Sequence, residues 1–326
     1  MAQQDRKNRK LYRQMPGQQH ALDTHTPTPA VAVAQPRAIQ LAVGFTLLVL
    51  LTLSTVVVSR FLLLNDTGTA LQIIAQTLHD KMFWSAIAVG FLAQAIDGAL
   101  GMAYGVTSTT FLLSAGASPA MASASVHIAE IFTTGVSGVA HARLGNVNKK
   151  LFLRLLVPGV IGAVLGAAVV THVDGKAMKP FISAYLLIMG IVILGRAWRT
   201  IRRRHDEPKH VGKLALFGGF VDAAGGGGWG PVVTTSLVGS GHDPRTTIGS
   251  VNFAEFFLAL AGAASFTVMA GSGVWVLVLG LVIGGLFAAP FAALVTKRLR
   301  ARTLLILVGA LISLVSALNL YQALLA

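Results

Sequence analysis

Along this chain, apolar residues gather into long runs separated by short polar or basic segments. A helix needs about 20 predominantly apolar residues to cross the hydrocarbon of a bilayer. The runs predict a first span over 37–64. They then predict two sets of three spans, near 119–142, 151–173 and 178–197 and near 244–269, 273–296 and 301–323. Ahead of each set lies an apolar segment broken by glycines, at 82–116 and 213–240. Past each glycine cluster only about 12–14 residues remain before the next turn signal, roughly 20 Å of helix at 1.5 Å per residue. That falls short of the roughly 30 Å hydrocarbon core. Each interrupted segment therefore reads as a re-entrant hairpin or a pair of short half-helices.

The two sets are copies. At an offset of 125, residues 97–130 and 222–255 match at 13 of 34 positions without a gap. Acidic residues and prolines are scarce in so oily a chain, so Asp97/Asp222, Pro119/Pro244 and Glu130/Glu255 carry most of the weight. One hairpin plus three spans makes an odd number of crossings, which turns the second copy upside down relative to the first. With the N-terminus in the cytoplasm, 22 of the 26 Lys and Arg fall inside, leaving Arg60, Lys81, Lys176 and Lys179 outside. That is the bias of the positive-inside rule.

The expectation is an all-α polytopic membrane protein of two inverted-topology repeats, each an interrupted segment plus three transmembrane helices, preceded by one extra helix. Its parts are a disordered basic cytoplasmic tail (1–36), the extra helix (37–64), repeat 1 (82–198), a basic cytoplasmic linker (199–211) and repeat 2 (212–326). Inverted repeats with broken helices are a transporter signature, because one half can rock against the other around a midplane site. Duplication kept only for packing is the alternative.

Composition narrows the chemistry. The chain has 326 residues, is 54% hydrophobic and lacks cysteine, which removes disulfides, thiolate metal sites and cysteine nucleophiles together. Its formal charge of +14 sits in short segments between spans, so it reads as a topology signal with anionic-lipid contact secondary. Nucleic acid is not expected as a partner; the bilayer is. No nucleophile–base constellation and no clustered metal ligands stand out, so neither an enzyme nor a cofactor is expected.

Of twelve acidic residues, Asp97, Glu130, Asp222 and Glu255 lie in apolar segments. An intramembrane carboxylate costs a few kcal/mol unless it is protonated, paired or facing water, so the default reading is functional. Asp97 and Asp222, beside the glycine clusters, can equally serve structure by bonding freed backbone. On the helix from Pro119, the residues Ser123, His127, Glu130, Thr134, Ser137 and His141 recur at helical spacing as one polar stripe facing the interior. The second copy keeps Asn252 and Glu255 there. His127 is titratable where Asn252 is not, so Glu130, Glu255 and His127 are the proton-coupling candidates.

The stretches "IDGALGMAYGVTSTT" and "VDAAGGGGWGPVVTT" join glycines to hydroxyls where each hairpin should turn. Unwound backbone and a half-helix N-terminus suit an anion. Substrate-binding candidates are Gly101, Tyr104, Gly105, Thr109, Thr110 and Ser125 in the first copy, and Gly226, Trp229, Gly230, Thr234, Thr235, Ser250 and Asn252 in the second. Close packing through Gly101/Gly105 and Gly226/Gly230 is compatible with that role. "GGGGWG" is not a phosphate loop, having no following Lys-Ser/Thr.

The run "IDGALGMAYGVTSTTFLLSAGASPAMASASVHIAEIFTTGVSGVAHARLGNV" and its later partner resemble the sulfite exporter TauE/SafE family of bacterial membrane permeases, over roughly residues 82–324. Asp97–Gly105, Ser125–Glu130 and Arg143–Val147 carry the likeness. The resemblance implies a multi-spanning inner-membrane carrier for small sulfur-containing anions such as sulfite or organosulfonates. The expectation is a secondary transporter that exports a small anion, with proton coupling as its candidate energy source, set against an anion channel or an uptake permease for another small organic anion.

Overall fold

The computed structural model describes residues 36–63, 75–100, 102–198, 207–270, 275–298 and 301–325. Most of the expected tail 1–36, residue 64, Gly101 and residues 199–206 of the linker lie outside the described residues. The described chain is helical. In order it forms α1 (Arg37–Leu63), α2 (Lys81–Leu100), α3 (Tyr104–Ser114), α4 (Pro119–Arg143), α5 (Lys149–His172) and α6 (Gly175–Arg196). Then follow α7 (Val211–Gly225), a π-helical turn (Gly230–Thr234), α8 (Thr235–Gly239), α9 (Pro244–Ala270), α10 (Trp275–Arg298) and α11 (Ala301–Leu325).

Five of these helices (α1, α5, α6, α9 and α11) are long and apolar enough to cross a membrane, making this a multi-pass membrane protein. Helix α4 has the length, 25 residues, but carries the polar stripe. Large aliphatic and aromatic side chains such as Leu51, Phe181 and Leu314 face outward, while Ser123, His127, Glu130 and Asp222 are buried. Lipid rather than water covers such an exterior.

Local chemistry sets the helix starts. Helix α4 opens with Ser118 accepting the Met121 N–H at 3.2 Å and with Pro119 in the first turn. Helix α5 opens with Asn148 accepting the Leu151 N–H at 3.0 Å. The turns that lead into α4 and α9 use duplicated glycines, Gly116 at φ +94° and Gly241 at φ +95°, a conformation that side chains with a Cβ resist.

Packing interleaves the copies. Helix α2 lies on α10 and α5 on α7, while α4 lies on α9 and α6 on α11. Glycines mark the directions. Gly162 meets Leu216 and Phe220, and Gly166 meets Phe220 and Ala224, so α5 and α7 run parallel. Gly280 meets Phe83 and Ala86, and Gly284 meets Ile87 and Phe91, so α2 and α10 also run parallel. By contrast Gly138 meets Phe253, Gly135 meets Phe256 and Gly262 meets His127, which makes α4 and α9 antiparallel. Gly190 meets Ser313 and Gly309 meets Leu194, so α6 and α11 are antiparallel as well. The sequence-equivalent helices that touch, α4 with α9 and α6 with α11, thus run antiparallel. Helix α1 is an addition, held by Leu50 against Gly135 and by Phe45 stacked on Phe257 at 5.9 Å.

Small residues at these crossings let backbones touch, as they do where membrane helices associate. A Cβ on Gly162 would overlap the Leu216 carbonyl, whereas one on Gly195 would meet nothing within 4 Å. Gly162→Leu should therefore lose about 1–3 kcal/mol or more through overpacking. Gly195→Ala should be neutral or slightly stabilising. Thermal unfolding in detergent separates the two; equal melting of both variants would contradict the backbone contact.

Candidate functional site

The two interrupted segments cross. In repeat 1 the chain leaves α2 at Leu100 and restarts at Tyr104; in repeat 2 it leaves α7 at Gly225 and restarts in the π turn at Gly230. Gly105 faces Gly227, where a Cβ would come within 2.6 Å of the Gly227 Cα. The Thr109 hydroxyl donates to the Gly226 carbonyl. Gly230 sits against Met102, with 3.1 Å from its would-be Cβ to that of Met102. Gly226 and Gly227 take φ of +70° and +136°, which only glycine adopts without strain next to so close a neighbour.

An aspartate closes each break. Asp222 Oδ1 accepts the N–H groups of Gly228 at 2.7 Å and Trp229 at 2.8 Å. Its repeat mate Asp97 accepts the Tyr104 N–H, and Tyr104 is the mate of Trp229. Three of the backbone donors that an anion would use at a half-helix start, those of Tyr104, Gly228 and Trp229, are in this way taken by the protein's own carboxylates. Trp229 is wholly buried, its indole N–H donating to the Val251 carbonyl at 3.0 Å, and the Tyr185 hydroxyl donates to the Gly227 carbonyl at 2.9 Å.

Across the repeat boundary, the second oxygen of Asp222 meets α4. His127 Nε2 lies 3.3 Å from Asp222 Oδ2. His127 Nδ1 lies 2.9 Å from the Ser123 carbonyl, and a carbonyl only accepts, so Nδ1 carries the hydrogen. Nε2 then faces a carboxylate oxygen, which it can meet only through a hydrogen of its own or an intervening cation. Glu130, one turn on, puts a third acceptor nearby: single donor-set atoms of His127, Glu130 and Asp222 lie within 4.8 Å of one another. His127 Nε2, Glu130 Oε2 and Asp222 Oδ2 are all buried without a hydrogen-bond partner among the described residues. Three converging acceptors repel unless a positive species sits among them, either a proton or a cation. Imidazole and carboxylate together also form a donor set that divalent transition ions accept.

Room for this cage comes from the other copy. Gly262 stands where repeat 1 has Ser137, and a Cβ there would come within 2.7 Å of His127 Cδ2. Phe266 covers the ring at 5.6 Å between centroids. The Ser123 hydroxyl donates to the Ala223 carbonyl at 2.6 Å, tying α4 to α7 beside Asp222.

The candidates from sequence fall in different places. Glu130 lies against Gly105, 3.0 Å from its would-be Cβ, while Glu255 and Asp97 are only partly buried. Tyr104 OH, Ser125 Oγ and Asn252 Oδ1 are buried without a partner among the described residues. Ser250 is engaged elsewhere, donating to the Thr246 carbonyl at 2.7 Å and accepting the Asn148 N–H at 2.8 Å. Thr110 bonds the Val106 carbonyl at 2.6 Å beside α11, Thr234 is buried in the π turn, and Thr235 receives Arg196 Nη1 at 3.0 Å. Sequence spacing finds no ligand cluster because Asp222 joins His127 and Glu130 from the other repeat. Tyr185, a lone tyrosine in an apolar span, gives no signal at all.

A family model described as "Sulfite exporter TauE/SafE" matches residues 86–320. YtnM of Bacillus subtilis (strain 168), described as a probable membrane transporter protein, is 44% identical over 239 residues, which cover 70% of this chain and 79% of that protein. No solved structure matches the chain.

Asp222 holds the second break and the cage at once, and its substitutions should separate the two duties. Asp222→Ala strands two buried N–H groups and should cost about 3 kcal/mol. Asp222→Asn keeps an acceptor for the backbone and offers a donor to His127, so it should cost about 1 kcal/mol. Unfolding in detergent followed through Trp229 fluorescence checks the order. Equal stability of Asp222→Ala and the native protein would contradict the capping role.

Proposed function

Because the chain belongs to the sulfite exporter TauE/SafE family, we propose that this membrane transporter is a proton-coupled secondary carrier that exports a small sulfur-containing anion, sulfite or an organosulfonate, across a bacterial inner membrane. The family supplies the substrate class. The coupling reading rests on one observation, the acceptor cage of His127, Glu130 and Asp222.

The cage is built from α4 of repeat 1 and α7 of repeat 2, so it is complete only while the halves are in register. A proton inside it bonds the halves together; its release leaves acceptors facing one another and favours their separation. That is how a proton can bias two arrangements of one carrier, since a bound ion shifts an equilibrium only through unequal affinity for the two states. Glu255, partly exposed on α9, is the matching protonatable group of the other half. Asn252 in place of a histidine makes the two halves unequal, with the heavier duty on Glu130.

The reading includes inverted repeats around a pseudo-twofold axis in the membrane plane, the N-terminus cytoplasmic and the C-terminus periplasmic. Antiparallel packing of α4 on α9 and of α6 on α11 supports it, because an axis that exchanges antiparallel spans is perpendicular to them. The basic residues gathered on one side in that arrangement support the orientation.

Reporter fusions after Pro208 and after Leu325 should report opposite sides of the membrane, the first cytoplasmic. The same side for both would end the inverted reading.

Flux in proteoliposomes tests the transport reading. Sulfite or sulfonate efflux should saturate and should accelerate when a pH gradient is imposed. Glu130→Gln should fold and still exchange anion for anion, yet lose the gradient's effect at least ten-fold. Glu255→Gln should lose less. Non-saturating flux would indicate a channel, and full gradient dependence in both variants would make the carboxylates structural.

A further inference from the structure

We infer that Arg196 receives the anionic head of the substrate at the crossing of the two interrupted segments, with the Thr235 hydroxyl as its companion donor. The inference rests on the anion-carrier reading above and adds the group that compensates substrate charge.

An anion entering this bundle needs positive charge, and the expected source is already committed. The N–H groups of Gly228 and Trp229 hold Asp222, and that of Tyr104 holds Asp97. The intramembrane carboxylates Asp97, Glu130, Asp222 and Glu255 would repel a second anion whenever they are ionised. Some cation must offset them along the path.

Arg196 ends α6. Arginine at the end of a span ordinarily extends its head outward to water and phosphate. Arg196 is instead partly buried and turned onto the breaks, its Nη1 donating to Thr235 Oγ1 at 3.0 Å and lying 2.9 Å from Met102 Sδ. Met102 belongs to the break of repeat 1 and Thr235 to the half-helix of repeat 2, so this one guanidinium touches both interrupted segments. Among the described residues no carboxylate lies within ion-pair distance of it.

The repeat-related place is built differently. There Thr110 faces Ser316 Oγ at 3.5 Å, and Asn319 Nδ2 donates to the Thr110 carbonyl at 3.1 Å. Both partners come from α11, the counterpart of α6, and both are neutral. One end of the pseudo-symmetric path therefore carries a cation and the other an amide. A guanidinium presents a planar fork that fits two oxygens of an oxyanion, and the Thr235 hydroxyl, which accepts from Arg196 and donates to Met102 Sδ at 3.8 Å, can exchange that weak sulfur acceptor for an oxyanion oxygen. Sulfite and sulfonate groups have that shape; chloride does not.

The test uses the full-length protein in detergent and in proteoliposomes, with sulfite, methanesulfonate, sulfate, acetate and chloride as probes. Binding is read by calorimetry and transport by anion exchange without a pH gradient. Native protein should prefer sulfite or methanesulfonate over chloride. Arg196→Gln should weaken binding and raise the exchange KM at least ten-fold, with a smaller fall in the saturating rate. Arg196→Lys should recover part of the affinity but little of the preference for oxyanions over chloride. Thr235→Val removes the companion hydroxyl and leaves the arginine. It should weaken binding several-fold, and it decides the question if Arg196→Gln does not fold. Native affinity in Arg196→Gln, or in Thr235→Val where the first variant fails, overturns the assignment while leaving anion transport standing. A native protein that neither binds nor moves any probe overturns the transport reading and this inference with it.

Discussion

A carboxylate surrounded by helices whose outer faces meet lipid must find hydrogen bonds or a counter-charge within the protein, and Asp222 does so in two directions. One oxygen holds the backbone where a helix stops short, and the other reaches into the opposite repeat toward His127. Much of the site follows from that constraint. The break needs glycines because the chain turns through positive φ against Gly105, and the histidine needs Gly262 because its ring would otherwise meet a side chain. One residue thus joins the closure of a half-helix to the histidine of the opposite repeat.

The duplicated sequence pairs its copies across the bundle, and the positions where the copies differ mark the candidate chemistry. Parallel pairs α2/α10 and α5/α7 and antiparallel pairs α4/α9 and α6/α11 are what a duplicated unit gives when its copies oppose each other. Within that frame His127 stands opposite Asn252, Ser137 opposite Gly262, and Arg196 faces Thr235 where Asn319 and Ser316 serve Thr110. Packing alone would tolerate more equal partners. A carrier of an anion and a proton would need one place for each, and the proposed reading assigns them to these unequal positions.

How much of this was legible in the sequence depended on range. Duplicated acids, prolines and glycines are visible in the sequence itself, and the short apolar stretches after the glycine clusters hold the short helices Tyr104–Ser114 and Thr235–Gly239, because both signals are local. The 3–4 spacing from Ser123 onward pointed a polar stripe inward, and Ser123, His127, Glu130 and Thr134 are buried. Contacts between repeats left no such trace. Asp222 was readable as an intramembrane acid but not as the partner of His127, Ser250 looked like its buried mate Ser125 yet serves a loop, and the π turn at Gly230–Thr234 has no periodic signature. Arg196 is hidden among the basic residues that read as a topology signal, since charge alone does not say whether a head group turns outward or in.

In the proposed function, the cage of His127, Glu130 and Asp222 carries an exchangeable proton tied to anion movement. The most direct measurement loads proteoliposomes with a pH-sensitive dye, clamps the membrane potential at zero and starts sulfite or sulfonate flux down its own concentration gradient. The account predicts a lumenal pH change that tracks anion flux in the native protein and disappears in Glu130→Gln while anion exchange persists. Anion flux with no pH change in the native protein, after correction for protonation of the anion itself, would contradict it.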